Sequence, residues 1–520
     1  MLAGSGAPSL RAAGSDRAAA AAADEPYGAL VIGVPWEDLG KAPEEDAGAV
    51  NVLYGAGGGL STSGEQFWSQ DSTGVSGTSE DFDSFGSALA AGDFNGDGYV
   101  DLAVGVPGEE AGGVSGAGVV QVFYSDQGRL SSIGDEIWSQ GSPSVPGALE
   151  AGDAFGSALA AGSFNGDAYD DLAVGIPRED KGDDIDTGAV QVLYGSPSGL
   201  YAGAEIWDQD DFAYGTAEPG DRFGTALAVG HFNADAYADL AVGVPFEDWG
   251  ADDGGAVNVL YGTGSGLSAA GGQTWSQNEA GGAREAFDEF GFALAVGDFD
   301  DNGNDDLAIG APGETIEGLG GAGAVSVMYS QSTGLGANPD FWYQDGNYIR
   351  DDLEAGDHFG YALAAGDFDG NGHDDLAVGV PDENIDLVGD AGAVNVLYGE
   401  WNGLSVDFGS QFWHQDILEG VAEEEDGFGR SLAAGDFNGD GRDDLAVGVP
   451  YEGIGSAEDA GAVNVIYGFG GGLGASHEYW HQDVPGVSGE AEEGDAFGLA
   501  LVAMPTVKHQ IFLPLVLRDF

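Results

Sequence analysis

The chain has 520 residues and carries 90 acidic side chains against 13 Lys and Arg, a formal net charge of −77. Such a surface repels nucleic acid and anionic lipid, which argues against nucleic-acid binding and membrane-surface roles and suits cation binding, a high-salt setting or simple solubility. With no cysteine there is no disulfide framework, so in an extracellular protein a metal would be the obvious alternative staple.

Residues 1–26 are Ala-rich and lack a long apolar stretch, and they read as a linker or disordered segment rather than a signal peptide. Short runs with period-two alternation follow: ALVIGVP (29–35), GAVNVLYG (48–55) and FWSQ (67–70). A fuller unit starts at Phe85. It comprises FGSALAAGDF (85–94), an acidic loop, DLAVGVP (101–107), GVVQVFY (118–124) and EIWSQ (136–140). Four short alternating runs, separated by turn residues and without helical periodicity, are the content of one propeller blade.

This unit recurs. Asp-x-Phe-Gly occurs seven times, at Phe85, Phe155, Phe223, Phe290, Phe359, Phe428 and Phe497, with spacings of 67 to 70 residues. Each unit ends on Trp-x-Gln, at Trp68, Trp138, Trp207, Trp275, Trp342, Trp413 and Trp480, which marks a packing position between blades. The N-terminal unit lacks its first strand, and FGLALVAM (497–504) is a first strand with no unit after it. Together they make one blade. The expectation is an all-β, seven-bladed propeller of four-stranded blades over residues 27–504, closed by pairing the C-terminal strand with the N-terminal blade. Residues 505–520 fall outside the repeat, as an extra strand or a sorting or anchoring segment. No segment has the length of a transmembrane helix.

These units, FG…DFNGDG…DDLAVGVP, resemble the FG-GAP repeats of integrin alpha-subunit propellers and their bacterial relatives, with GAP itself at 310–312. The resemblance covers residues 27–504. It implies calcium held in loops on one face of a seven-bladed propeller and partner-binding loops on the other. No inserted metal-dependent adhesion domain and no leg-like region follow the pattern, so the module is carried over and integrin function is not.

Four loops between the first and second strands share oxygen-bearing residues at positions 1, 3, 5 and 9, with position 7 offering its backbone carbonyl. They are Asp93, Asn95, Asp97, Tyr99 and Asp101; Asp298, Asp300, Asn302, Asn304 and Asp306; Asp367, Asp369, Asn371, His373 and Asp375; and Asp436, Asn438, Asp440, Arg442 and Asp444. Position 6 is Gly98, Gly303, Gly372 or Gly441. Three carboxylates this close repel one another unless a divalent cation lies between them, and the spacing suits Ca²⁺ better than Mg²⁺. Two further loops have lost the position-1 Asp and the position-6 Gly: Ser163, Asn165, Asp167, Ala168 and Asp171; and His231, Asn233, Asp235, Ala236 and Asp239. Their remaining oxygens would bind only weakly. The expectation is about four Ca²⁺ sites.

The Asp of Asp-x-Phe-Gly is present even beside the two failed loops, so it reads as a backbone hydrogen-bonding residue. On the opposite face the loops carry acid interleaved with Trp36, Phe246, Trp249 and Tyr451, including Glu37, Asp38, Glu44, Glu45 and Asp46. No nucleophile elbow, phosphate-binding motif or zinc spacing is present. The sequence therefore points to a calcium-binding, extracellular, monomeric interaction or adhesion module for a protein or glycan partner. The alternative is a propeller enzyme, a polysaccharide lyase or phospholipase-like hydrolase. A non-repeating basic residue paired with a carboxylate at the channel would favour the enzyme.

Overall fold

The computed structural model describes residues 27–39 and 45–505, apart from 214, 337, 346–348, 407, 408 and 419. The expected segment 1–26, all but the first residue of the expected segment 505–520, and Glu44 lie outside the described residues. The rest forms seven antiparallel blade sheets arranged as a ring, as the repeat predicts, with a small two-stranded ribbon, Ser330–Gln331 and Gly334–Leu335, beside the sheet of blade 5.

Blade 1 is the split blade. Its strands run, from the channel outward, Ala500–Met504, Ala29–Val34, Ala49–Ala56 and Gly59–Trp68. Ala29 pairs with Met504 and Gly33 with Ala500, so the ring closes through strands from the two ends of the sequence. Blades 2 to 7 begin with the inner strands Ala88–Gly92, Ala158–Gly162, Ala226–Gly230, Leu294–Gly297, Leu363–Gly366 and Ser431–Gly435. Each inner strand packs against the inner strands of both neighbours. The outer strand of blade 6 is in two pieces, Gly403–Ser405 and Gln411–Trp413.

The second strand of every blade is buried along its whole length. Its period-two alternation therefore divides residues between two interblade cores rather than between core and water. In blade 2, Leu102, Val104 and Val106 pack with Val50 and Val52 of blade 1. Ala103 faces the other way, with Val120 and Val122, toward Leu172 and Val174 of blade 3.

The Phe of each Asp-x-Phe-Gly is fully buried in this seam. Phe85 N donates to Ala47 O of the preceding blade at 2.9 Å. This approach needs glycine on the other side: Gly48 has φ +86, and a Cβ there would lie 2.4 Å from Phe85 N. The motif is thus a stitch between blades as well as the opening of a strand.

Candidate metal centre

The four complete acidic loops belong to blades 2, 5, 6 and 7, and all lie on one face, between the first and second strands. Local Asx turns shape them. The position-3 side chain accepts the position-5 amide: Asn95 from Asp97 at 2.8 Å, Asp300 from Asn302 at 3.1 Å, Asp369 from Asn371 at 2.8 Å and Asn438 from Asp440 at 2.9 Å. The position-5 side chain in turn accepts the position-7 amide of Tyr99, Asn304, His373 or Arg442.

Position 1 distinguishes complete loops from failed ones. Asp93, Asp298, Asp367 and Asp436 each accept the position-5 amide on Oδ1 and the position-6 glycine amide on Oδ2. The glycines have φ of +92, +85, +92 and +86, a conformation that leaves little alternative to glycine. In blades 3 and 4, Ala168 and Ala236 stand at this position without a positive φ, and Ser163 and His231 replace the aspartate. Those loops keep the two Asx turns but not the inward amide of position 6.

Two of the loops bring three carboxylates together most closely. One oxygen from each of Asp298, Asp300 and Asp306 lies within 4.8 Å of the others, as does one from each of Asp367, Asp369 and Asp375. In blades 2 and 7 position 3 is Asn, and the third carboxylate sits at position 5, on Asp97 or Asp440. In blade 7, Arg442 Nη1 lies 3.6 Å from Asp440 Oδ1. Oxygen donors alone, with no thiolate and an imidazole only at position 7, fit a hard divalent cation.

Position 9 does something the sequence did not show. Asp101, Asp306, Asp375 and Asp444 are fully buried. Each accepts the position-2 Phe amide on Oδ2 and an amide at the end of the third strand on Oδ1; for Asp101 these are Phe94 at 3.1 Å and Ser125 at 2.8 Å. Asp171 and Asp239, in the failed loops, make the same pair of bonds at 2.9 Å each. The residue is therefore a staple of the fold in all six loops. Its remaining lone pairs are still available to a cation. Burial pushes Asp101, Asp306 and Asp375 up to about 8, and neighbouring loop carboxylates push the same way.

The opposite face holds a second acidic pattern. All seven Asp-x-Phe-Gly aspartates accept the backbone amide of a Glu three residues earlier, for example Asp83 from Glu80 at 2.6 Å and Asp495 from Glu492 at 2.7 Å. Beside them lie Glu37, Glu109, Glu179, Glu247, Glu314, Glu383 and Glu452, of Gly-x-Pro-x-Glu; the sequence places acids such as Glu37 in these loops but does not show their repeated role. Each accepts from the Gln of a Trp-x-Gln, as Glu109 does from Gln70 at 2.6 Å and Glu383 from Gln344 at 2.7 Å. Their sevenfold recurrence was the available signal. The carboxylates of Glu354, Asp357 and Glu383 lie within 4.8 Å of one another, and the Asp357 and Glu383 members belong to this repeated buried pairing.

One pair at the channel mouth does not repeat. His358 Nδ1 lies 2.5 Å from Asp382 Oδ2, and this contact raises the imidazole above its usual range despite partial burial. Tyr361 and Arg430 are close by, with the guanidinium 4.8 Å from the Tyr361 ring.

Comparison with known proteins agrees with this geometry. A family model described as "FG-GAP repeat" matches residues 85–123, 155–193, 223–260, 290–328, 359–397 and 428–466. Integrin alpha pat-2 of Caenorhabditis briggsae is 30% identical over 279 residues, 51% of this chain and 21% of that protein. Integrin alpha-PS2 of Drosophila melanogaster is 30% identical over 247 residues, 46% of this chain and 16% of that protein. Phosphatidylinositol-glycan-specific phospholipase D of Rattus norvegicus is 35% identical over 161 residues, 30% of this chain and 18% of that protein. The chain thus spans only about a fifth of the length of these relatives.

Proposed function

The chain is an FG-GAP repeat protein with an integrin-alpha-like propeller, and on that premise we propose that it is an extracellular, calcium-binding interaction module. One face is stiffened by Ca²⁺ held in four loops, through Asp93 to Asp101, Asp298 to Asp306, Asp367 to Asp375 and Asp436 to Asp444. The other face presents its loops to a protein or glycan partner, and the module works as a monomer without inserting into a membrane. Among the described residues no helix is long and apolar enough to cross a bilayer.

The supporting observation is the contrast between loops. Where position 1 is Asp, position 6 is a left-handed Gly whose amide turns inward; where one is lost, so is the other. A turn needed only to connect two strands would not require that coupling, because blades 3 and 4 connect theirs without it. Isothermal titration with Ca²⁺, together with glycan-array and protein-partner screens, tests this reading.

A second reading, an enzyme of the polysaccharide-lyase or phospholipase-like-hydrolase class, is favoured by His358 and Asp382. A carboxylate that holds one imidazole nitrogen orients the ring for proton transfer at the other. A hydrolase and lyase panel run on wild type and His358→Gln separates the two: turnover that the variant loses favours the enzyme.

A further inference from the structure

Seven similar blades make the residues that differ easy to see at the channel mouth on the loop face. There Arg178, Arg222, Phe246 and Phe292, with Ser157 and Thr225, line a cavity of about 490 Å³. They occupy positions that are mostly small or polar in the other blades: the second residue of Asp-x-Phe-Gly, the residue after it, and the residue following Gly-x-Pro.

The charge here runs against that of the chain. Of the eight described Lys and Arg side chains, Arg178, Lys181, Arg222, Arg284 and Arg430 lie on this one face. Lys181 is paired, at 2.7 Å from Asp208 and 2.8 Å from Asp210. The four arginines make no ion pair with any described residue, although the chain has 90 acidic side chains. Three of them rest on aromatic rings instead. Arg222 stands 5.0 Å from the Phe246 centroid, Arg284 is 5.1 Å from Trp249, and Arg430 lies between Tyr361 and Tyr451 at 4.8 and 5.2 Å. A ring face holds a guanidinium through its quadrupole without using the N–H donors. Arg222 Nε is buried and has no hydrogen-bond partner. The donor fork is therefore positioned but not spent. Thr225 Oγ1 donates to the Arg222 carbonyl at 2.7 Å and fixes that segment.

We propose that this mouth is a binding site for a carboxylated glycan of the uronate class. Arg178 and Arg222 take the sugar carboxylate, and Phe292 offers its ring to the pyranose face. Phe292 continues into Tyr361, 4.9 Å away between centroids, so the aromatic surface is long enough for more than one sugar unit. A planar carboxylate matches the guanidinium fork in two parallel bonds, which a neutral sugar cannot do. A glycan fits better than an acidic protein because the surrounding loops carry the bulk of the negative charge. A thin chain entering the cavity avoids much of that repulsion, whereas a broad acidic surface would meet all of it. This inference rests on the interaction-module reading and names the partner class.

Calorimetry on the full, Ca²⁺-saturated chain at roughly physiological salt tests it, with trigalacturonate, a mannuronate trimer, trigalacturonate methyl ester, maltotriose and an Asp-rich peptide as probes. Binding of a uronate trimer, weakened about tenfold or more by methyl esterification and by Arg222→Gln, is expected. Arg129→Gln, on the calcium face, should leave that binding unchanged. Should Arg222→Gln fail to fold, judged by its melting curve, Arg178→Gln on an exposed side chain carries the same test. Equal binding of ester and acid, insensitivity to both arginine variants, or no binding of either uronate trimer overturns the proposal. Arg222-dependent binding of the peptide alone overturns the glycan assignment and leaves the module reading standing. Failure of the module reading shows separately, as a melting curve indifferent to Ca²⁺.

Discussion

Asp374 of blade 6 accepts, through Oδ2, the backbone N–H of Asp298, the first residue of the acidic loop in blade 5, at 2.9 Å. Its own N–H returns a bond to the Asp298 carbonyl at 3.2 Å. Asp443 does the same for Asp367, and Asp170 for Asp93. Position 8 of one loop is thereby tied to position 1 of the loop before it, so whatever orders one loop also stiffens the seam to the next blade.

Asp374→Ala should therefore destabilise the folded ring by about 1 kcal/mol, the low end of the cost of leaving an amide unpaired, because the Asp298 amide is only partly buried. Asp374→Asn keeps an acceptor oxygen and should cost less. Chemical denaturation at saturating Ca²⁺ measures both. If alanine and asparagine are equally harmless, the tie between neighbouring loops has no energetic weight.

Removing Ca²⁺ should lower the melting temperature. An ion that binds only the folded chain stabilises it by about 2.7 kcal/mol per site at a hundredfold excess over Kd. Four divalent ions still neutralise only a small part of the net charge of −77, so added salt should stabilise the Ca²⁺-loaded protein further by screening. A melting temperature flat from low to molar salt would count against this part of the account.

Asp171 belongs to a loop without a position-1 aspartate, yet Asp171→Ala should destabilise the chain even in chelator, by about 1–3 kcal/mol for each amide left without its acceptor. Its oxygens serve the Phe164 and Gly195 amides, both at 2.9 Å. Ser163→Ala in the same loop should change little. Melting curves in EDTA compare the two; equal curves would mean that position 9 holds nothing together.

The buried pairs on the loop face set a pH dependence. Glu383 is pushed up to about 8, first by burial and then by Asp357, which burial itself raises to about 7. Glu37 is pushed to about 8 by burial and by Asp495. Between the unfolded carboxylate range, about 4, and about 8, the folded chain binds more protons than the unfolded chain. Stability in EDTA should therefore be greatest near the acid end of this window and fall as pH rises to about 8. Glu383→Gln, which keeps an acceptor for Gln344, should make that decline shallower. A rise in melting temperature over the same window would reverse the sign and refute the assignment.

The ring was legible because Phe85 and its six counterparts recur at a nearly constant interval, and because Ala29–Val34 and Ala500–Met504 are visibly two parts of one blade. The four complete loops were legible from their aspartates and from Gly98, Gly303, Gly372 and Gly441. The structural duty of Asp101 was not, because its partner Ser125 lies on the third strand and a ligand pattern looks the same whether or not the backbone also uses it. Glu109 was hidden for a related reason. It meets Gln70 of the previous blade, and Glu37 meets Gln482 only once the ring has closed. Arg222 and His358 were obscured by the repeat itself, since a motif written Asp-x-Phe-Gly discards the very position they fill.

Counting the bound ions tests the central claim most directly. Titration of the chelator-stripped chain with Ca²⁺, read by native mass spectrometry and calorimetry, should reach four tightly bound ions in the wild type and three in Asp298→Ala, with the melting temperature rising as the sites fill. No tight binding, together with a melting temperature unmoved by Ca²⁺, would contradict the account.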